Sequence, residues 1–301
     1  MALRFADLRS PAIRHPIEWG LDQLRFAALA LGRADEAPVG APVIGGPVTI
    51  RRIGLADLRA ALTAGMADFA ANRSDVLFLS VIYPLLGLLL ARLAFGYDML
   101  PLLFPLAAGF ALIGPFAAVG LNEMSRRRAL GGEVGWSDAF GVLASPALGP
   151  ILLLGLILAS LFGLWLIAAA IIYDHTLGPA APASLAAFAH DVVATRAGWA
   201  MIGLGLGVGF VFALVVLMIS AVAFPLLLDR HAGLETAIWT SVRATVTNPG
   251  PMACWGLIVA FGLVIGSVPA LLGLAVVMPV LGHATWHLYR RLVAPAEPGH
   301  A

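Results

Sequence analysis

Two histidines stand four residues apart in the string Pro279-Val280-Leu281-Gly282-His283-Ala284-Thr285-Trp286-His287-Leu288-Tyr289-Arg290-Arg291. On an α-helix this spacing puts both imidazoles on one face, where they could jointly ligate zinc, copper or a haem iron. A closed metal site also needs a third or fourth ligand and outer partners that fix the rings. His231 and the acids Glu123, Asp138 and Glu235 fall on the same predicted side of the chain's apolar runs as His283 and His287. The pairs Asp174-His175 and His190-Asp191 fall on the opposite side, where they read as decoration of a solvated loop. The competing reading joins both imidazoles with Trp286, Tyr289, Arg290 and Arg291 in a belt at a membrane–water interface, bonded to head groups and neighbouring loops. Because spacing supplies no further ligand, the belt is preferred. No cofactor is expected, and a haem or transition metal on His283 and His287 is the alternative.

Other site chemistry is sparse. The chain lacks a Walker-type phosphate loop, a His-Glu-x-x-His zinc-protease motif and a Gly-x-Ser-x-Gly elbow. Its single Cys254 excludes an internal disulfide framework and a cysteine-based metal cluster within one chain. No carboxylate or ion pair falls in the middle of an apolar run, as an ion-coupled transporter often shows. Gly203, Gly205, Gly207 and Gly209 alternate at two-residue intervals and read as helix-packing surface, not as a nucleotide loop.

The elements that would position these residues are set by the apolar runs. The chain is 60% hydrophobic and 12% charged, with a mean hydropathy of +0.94. A helix needs about 20 apolar residues to cross a hydrocarbon core about 30 Å thick. Runs at about 76–95, 100–121, 147–172 and 201–228 meet that length. A fifth, Met252 to His283, is too long for one simple crossing and carries Gly266-Ser267-Val268-Pro269 in its middle, where glycine and proline favour a turn.

All 18 basic residues are arginine, and all except Arg92 and Arg196 fall before the first run or in alternate later segments. The positive-inside rule then places both termini in the cytoplasm of a bacterial inner membrane, which requires an even number of spans. The long run is therefore read as two, about 251–267 and 269–289, with one kinked helix as the alternative. The expected fold is all-α: a polytopic membrane protein with six transmembrane helices as three hairpins and cytoplasmic interfacial helices. Residues 1–48 are expected as a cytoplasmic tail and linker, 49–292 as the membrane domain and 293–301 as a second tail. No cleavable leader is evident, since residues 1–30 mix Asp7, Glu18 and Asp22 with arginines.

Interfacial helices are expected from Ile50 to Asn72, with Ile53, Leu55, Leu58, Leu62, Met66 and Phe69 on one side, and ahead of the third and fifth spans near Trp136 and Leu234. Pro115, Pro225 and Pro279 lie in the even-numbered spans and should bend each near its arginine end. Three pseudo-repeats of surface helix plus hairpin follow.

The stretch from Ile53 to Pro84, with Asp57-Leu58, Ala61-Leu62, Gly65, Asp68-Phe69 and Tyr83-Pro84, together with Asn248-Pro249 and the Gly282-His283-Ala284-Thr285-Trp286-His287 string, resembles a bacterial family of predicted integral membrane proteins of unknown function. The resemblance covers roughly residues 50–292 and implies membrane location and a helical fold. Members are sometimes labelled cytochrome c oxidase subunit I, which would imply haem and copper. A catalytic subunit of that kind has about twice as many spans and keeps histidines deep inside its helices, whereas these histidines lie at helix ends and in loops. The resemblance carries over no catalytic residue. The leading functional expectation is a non-enzymatic scaffold, assembly factor or complex subunit. A transporter or channel for a small apolar or weakly polar solute comes second and predicts a central cavity lined by the bent even-numbered helices. A haem- or metal-binding redox protein comes third. The expected partners are the lipid bilayer and other membrane proteins or further copies of the chain, with no nucleic acid.

Overall fold

The computed structural model describes residues 48–71, 85, 88, 92, 100–180, 182–268 and 271–295. Every regular element among them is helical except an isolated antiparallel bridge between Ile50 and Val293. In chain order the α-helices are α1 (Leu55–Ala71), α2 (Leu103–Ala117), α3 (Val119–Ala129), α4 (Leu148–Thr176), α5 (Leu185–Ala194), α6 (Arg196–Ser220), α7 (Ala223–Arg230), α8 (Leu234–Thr247), α9 (Pro249–Ser267) and α10 (Leu274–Leu292). Short 3-10 segments precede α2 at Leu100–Leu102 and α4 at Trp136–Ala144.

Among the described residues four stretches are long and apolar enough to cross a membrane: Leu100–Ala129, Leu148–Thr176, Arg196–Arg230 and Pro249–Ser267. The expected first span, about 76–95, lies outside the described residues apart from Leu85, Leu88 and Arg92, which are helical and exposed. The run from Met252 to His283 is not one helix. It breaks after Ser267, Leu271 takes a left-handed φ of 66°, and α10 starts at Leu274. The two helices lie side by side, with Gly262 against Val277 and Leu281. Helix α10 is as long as α9 but does not reach the apolarity of a span, because its second half carries two histidines and two arginines.

The prolines interrupt helices as proline chemistry requires. A proline ring clashes with the carbonyl four residues earlier, and for Pro225 that residue is Ala221, where α6 gives way to α7. Ser241 from α8 accepts a hydrogen bond from the Val222 backbone N–H at 3.1 Å, so the break carries no orphaned donor. Pro115 sits inside α2 three residues before the turn at Ala118, and Pro279 sits inside α10.

One core cluster takes in a face of α4, with Ile151, Leu154, Leu158 and Trp165, which packs chiefly on α2 and α6, together with Phe224, Leu226 and Leu227 of α7 and Trp286 and Leu288 of α10. Caps fix the helix starts away from the arginines. Ser184 accepts from Ala187 N at 3.1 Å to begin α5, and Thr195 accepts from Gly198 N at 2.9 Å to begin α6. Only glycine fits at position 198, beside the carbonyl oxygens of Asp191 and Val192. His190 and Asp191 are exposed on α5, so this pair decorates a helix and not the expected loop. The alternating glycines of α6 do not form a packing surface within the chain. A Cβ at Gly203, Gly205 or Gly207 would meet nothing within 4 Å, and only Gly209 lies against a side chain, that of Trp165.

At the arginine-rich end the described chain ends are sewn together. Arg51 N donates to Leu292 O at 2.7 Å, and Ala294 N to Thr49 O at 3.0 Å. Buried Asn248, at the α8–α9 corner, accepts from Ile53 N at 2.8 Å and donates to Arg51 O at 3.1 Å. Helix α1 then packs along α10 through the stripe Leu58, Ala61, Gly65 and Asp68. Gly65 is the closest approach, since a Cβ there would lie 2.6 Å from the backbone nitrogen of Ala284. Leu55 and Met66, on the neighbouring face, stay exposed.

Candidate functional site

The described residues offer two features with functional chemistry, a polar cluster on one side of α10 and a cavity on the other. His283 and His287 do share a face of α10, as their spacing predicts, and that face meets α1 and α3. Ser125 of α3 lies 2.6 Å from Asp68 Oδ2 of α1 and 2.8 Å from Nδ1 of His283. His287 Nε2 lies 2.8 Å from the same Oδ2, and Arg128 Nε lies 3.2 Å from Oδ1. Proton counting fixes the chain of bonds. Ser125 has one hydroxyl proton, which goes to the carboxylate, so Oγ must accept from Nδ1–H of His283. His287 donates from Nε2 to Asp68. Nε2 of His283 is left buried without a partner.

Burial alone would raise the Asp68 carboxyl. The hydrogen bonds from His287 and Ser125, with the electrostatic attraction of the neighbouring imidazole rings, outweigh it and hold the group below its ordinary value of 3.8. Nearby, Asp57 is also held low, chiefly by the Gly54 N–H at 2.9 Å and, against some desolvation, by Arg291.

This arrangement corrects the interface belt. Trp286 and Tyr289 are 1% exposed and His283 is 2% exposed, so these groups face protein and not head groups. The Tyr289 hydroxyl donates to Asp229 at 2.6 Å, and Arg230 donates to the carbonyl of Ala294. Arg290 lies over the Trp286 ring, 6.0 Å from its centroid. The acids expected to help bind a metal are engaged elsewhere. Glu123 receives Arg126 Nε at 2.7 Å and Nη2 at 2.9 Å, together with Arg127 Nε at 2.7 Å. Asp138 pairs with Arg127. His231 ends α7 in a left-handed conformation, and Glu235 lies in the first turn of α8. Among the described residues no group of three or more His, Cys, Asp or Glu is arranged to hold a metal ion. The converging nitrogens, Nδ1 of His283 and Nε2 of His287, both carry protons of these hydrogen bonds, and a metal held by them would have to displace both.

Sequence reading missed Asp68, Ser125 and Arg128 as partners of the histidines. One signal was present: Ala61 and Gly65 form a small-x-x-x-small pair, the pattern of close helix contact, and Asp68 continues the same stripe.

On the opposite side of α10 lies a cavity of about 370 Å³, enclosed by Gly114, Pro115, Ala118 and Asn122 of the α2–α3 span, Phe210 to Pro225 of α6 and α7, Ala253 to Leu263 of α9, and Met278 to Thr285 of α10. That volume falls within the range of small-molecule pockets. Among the described residues its walls are apolar apart from Asn122, Ser220, Thr285 and the indole N–H of Trp255. The prolines explain its place: Pro115 and Pro225 line it, and Pro279 follows the lining residue Met278.

The sequence comparisons bear on the walls of this cavity. Residues 103–229 match the family described as Predicted integral membrane protein (DUF2189). With four stretches fit to span a bilayer, this is an integral membrane protein. The matched residues cover α2 to α7 and so include two walls of the cavity, together with Ser125 and Arg128; Asp68 and both histidines of the cluster lie outside them. No curated protein and no solved structure matches the chain.

Proposed function

We propose that this protein takes a weakly polar, lipophilic small molecule into the cavity between its proline-bent helices and carries it within the membrane. The observation behind this reading is the position of the cavity. It lies beside Pro115, Pro225 and Pro279 of three helices, the place a solute carrier built on this sequence would need it. Phe210 and Leu257 line the cavity and are also exposed, which supports entry from the bilayer between α6 and α9. In this reading the run at 76–95 and helix α10 join the described spans to give six crossings in a bacterial inner membrane. Both termini are then cytoplasmic, as the arginine distribution favours. The test is flux of a small lipophilic solute into proteoliposomes. The wild type carries it, and Ala260→Phe, which fills the cavity from α9, does not. Equal flux in both would overturn the reading.

A scaffold or complex subunit is the second reading. It is favoured by the arginine-rich end, whose acids and arginines pair with one another and tie α1 to α10 and α3. Mass spectrometry of the protein purified in mild detergent at native expression level tests it, with an optical spectrum and metal analysis on the same sample. A reproducible stoichiometric partner would favour this reading. Haem or metal that disappears in His283→Ala and His287→Ala would favour a redox centre instead.

A further inference from the structure

We infer that the cavity selects an uncharged long-chain alcohol, seated with its hydroxyl on Asn122 and its chain lying between α6 and α9. The inference rests on the cavity reading above and adds the chemistry of the head. Asn122 is 1% exposed, lines the cavity, and its Oδ1 has no hydrogen-bond partner. A buried amide oxygen without a partner costs about 1–3 kcal/mol, so a ligand that satisfies it gains by binding. The hydroxyls of Ser220 and Thr285 are also acceptors, while Trp255 brings an indole N–H to the lining. Ser220 spends its proton on Val216 O at 2.6 Å, and Thr285 spends its proton on Leu281 O at 2.7 Å. Each hydroxyl keeps lone pairs and has no proton left to give. The three acceptors therefore ask for a donor, and a head that can also accept suits the indole N–H.

No carboxylate and no cation lines the cavity, which argues for a neutral donor over an ammonium or a carboxylate head. A hydroxyl also accepts, so it suits the Asn122 amide in either orientation of its O and N atoms. The polarity runs along the helices. Asn122 precedes Arg126 by one turn, Ser220 stands ten residues before Arg230, and Thr285 five before Arg290, so all three polar groups lie toward the arginine-rich end. From there the walls are apolar to Leu263 and Phe210, the orientation an amphiphile has in a leaflet. Leu217 lies against Gly256, where a Cβ would come within 3.3 Å of its methyl, and marks the arginine-proximal limit of the opening between α6 and α9.

Photo-crosslinking of the full chain in phosphatidylcholine nanodiscs tests this with matched diazirine probes: hexadecanol, its methyl ether, the plain alkane and the fatty acid. Mapped by mass spectrometry, hexadecanol is expected to label cavity residues roughly three- to tenfold more than the ether, as one buried hydrogen bond would give. Asn122→Leu should fold as well as the wild type, since it removes an unpartnered polar group, and should label equally with alcohol and ether. Equal labelling by alcohol and ether in the wild type, or stronger labelling by the fatty acid, would overturn the alcohol assignment and leave the cavity reading standing. If no probe labels cavity residues above the outward-facing Leu204 and Leu206, both fail.

Discussion

Oδ2 of Asp68 lies 2.8 Å from Nε2 of His287, a hydrogen bond that joins helices separated by 219 residues of chain. The same oxygen takes the Ser125 proton, so one carboxylate ties α1, α3 and α10 together at the arginine-rich end. Within α1 it adds to the packed stripe and to the Asp57–Arg291 ion pair at the helix start.

Acid should loosen this junction. The folded-state pKa of Asp68 lies below the unfolded value of 3.8, so its ionised form adds stability that is present above that value and lost as the pH falls through the folded one. Thermal unfolding of the detergent-solubilised protein should show a midpoint that drops below about pH 4. Asp68→Asn should be less stable at neutral pH by about 1.5–3 kcal/mol, the worth of hydrogen bonds to a charged group, and its acid limb should be flatter. An acid limb equally steep in the variant would assign the titration to other carboxylates.

Close packing of α1 on α10 makes a sharper demand. Gly65 has the Ala284 backbone 2.6 Å from where its Cβ would be, and backbone cannot turn aside as a side chain can. Gly65→Ala is expected to cost about 1–3 kcal/mol through overpacking. Gly207→Ala should be neutral or slightly stabilising, because its Cβ meets nothing and alanine favours the helix by about 1 kcal/mol. Melting curves of the two variants side by side check the contrast, and equal shifts would contradict it.

The parts of this architecture that a one-dimensional pattern encodes were legible in the sequence. Span length, arginine placement and proline position are local properties, and the breaks near Ala118, Ala221 and Ser267 fall close to where Pro115, Pro225 and the Gly266 to Pro269 stretch point. The partners of His283 were not legible. Ser125 and Asp68 reach it across 158 and 215 residues respectively by numbering, and no periodicity reports which faces of three helices will meet. The belt reading failed for the same reason: Trp286 and Tyr289 have the composition of an interface, and only the packing of α1, α3, α7 and α9 against α10 shows them enclosed.

Asn248 carries the connection between the Thr49–Ile53 segment and the rest. Its side chain accepts from Ile53 N at 2.8 Å and donates to Arg51 O at 3.1 Å and Ala244 O at 3.0 Å. Asn248→Ala strands one buried donor and at least one acceptor, at about 1–3 kcal/mol each if water cannot replace the side chain. Amide exchange at residues 49–55 should speed up by tenfold or more while exchange in α4 stays unchanged. Unchanged exchange at Ile53 would mean that the Arg51–Leu292 and Thr49–Ala294 bonds suffice alone.

Sidedness is testable because the chain has one cysteine, the partly buried Cys254. In a Cys254→Ser background, His190→Cys adds a thiol at an exposed site on α5, and Arg243→Cys adds one at the arginine-rich end. The arginine bias places position 243 inside and position 190 outside. A membrane-impermeant maleimide should therefore label position 190 in intact cells and reach position 243 only after lysis. The pair reports on the single span from Arg196 to Arg230, which separates α5 from α8, and on which side the arginine-rich end faces. Labelling of both positions in intact cells would remove that span, and the reverse pattern would put the arginine-rich end outside and overturn the six-crossing arrangement with cytoplasmic termini.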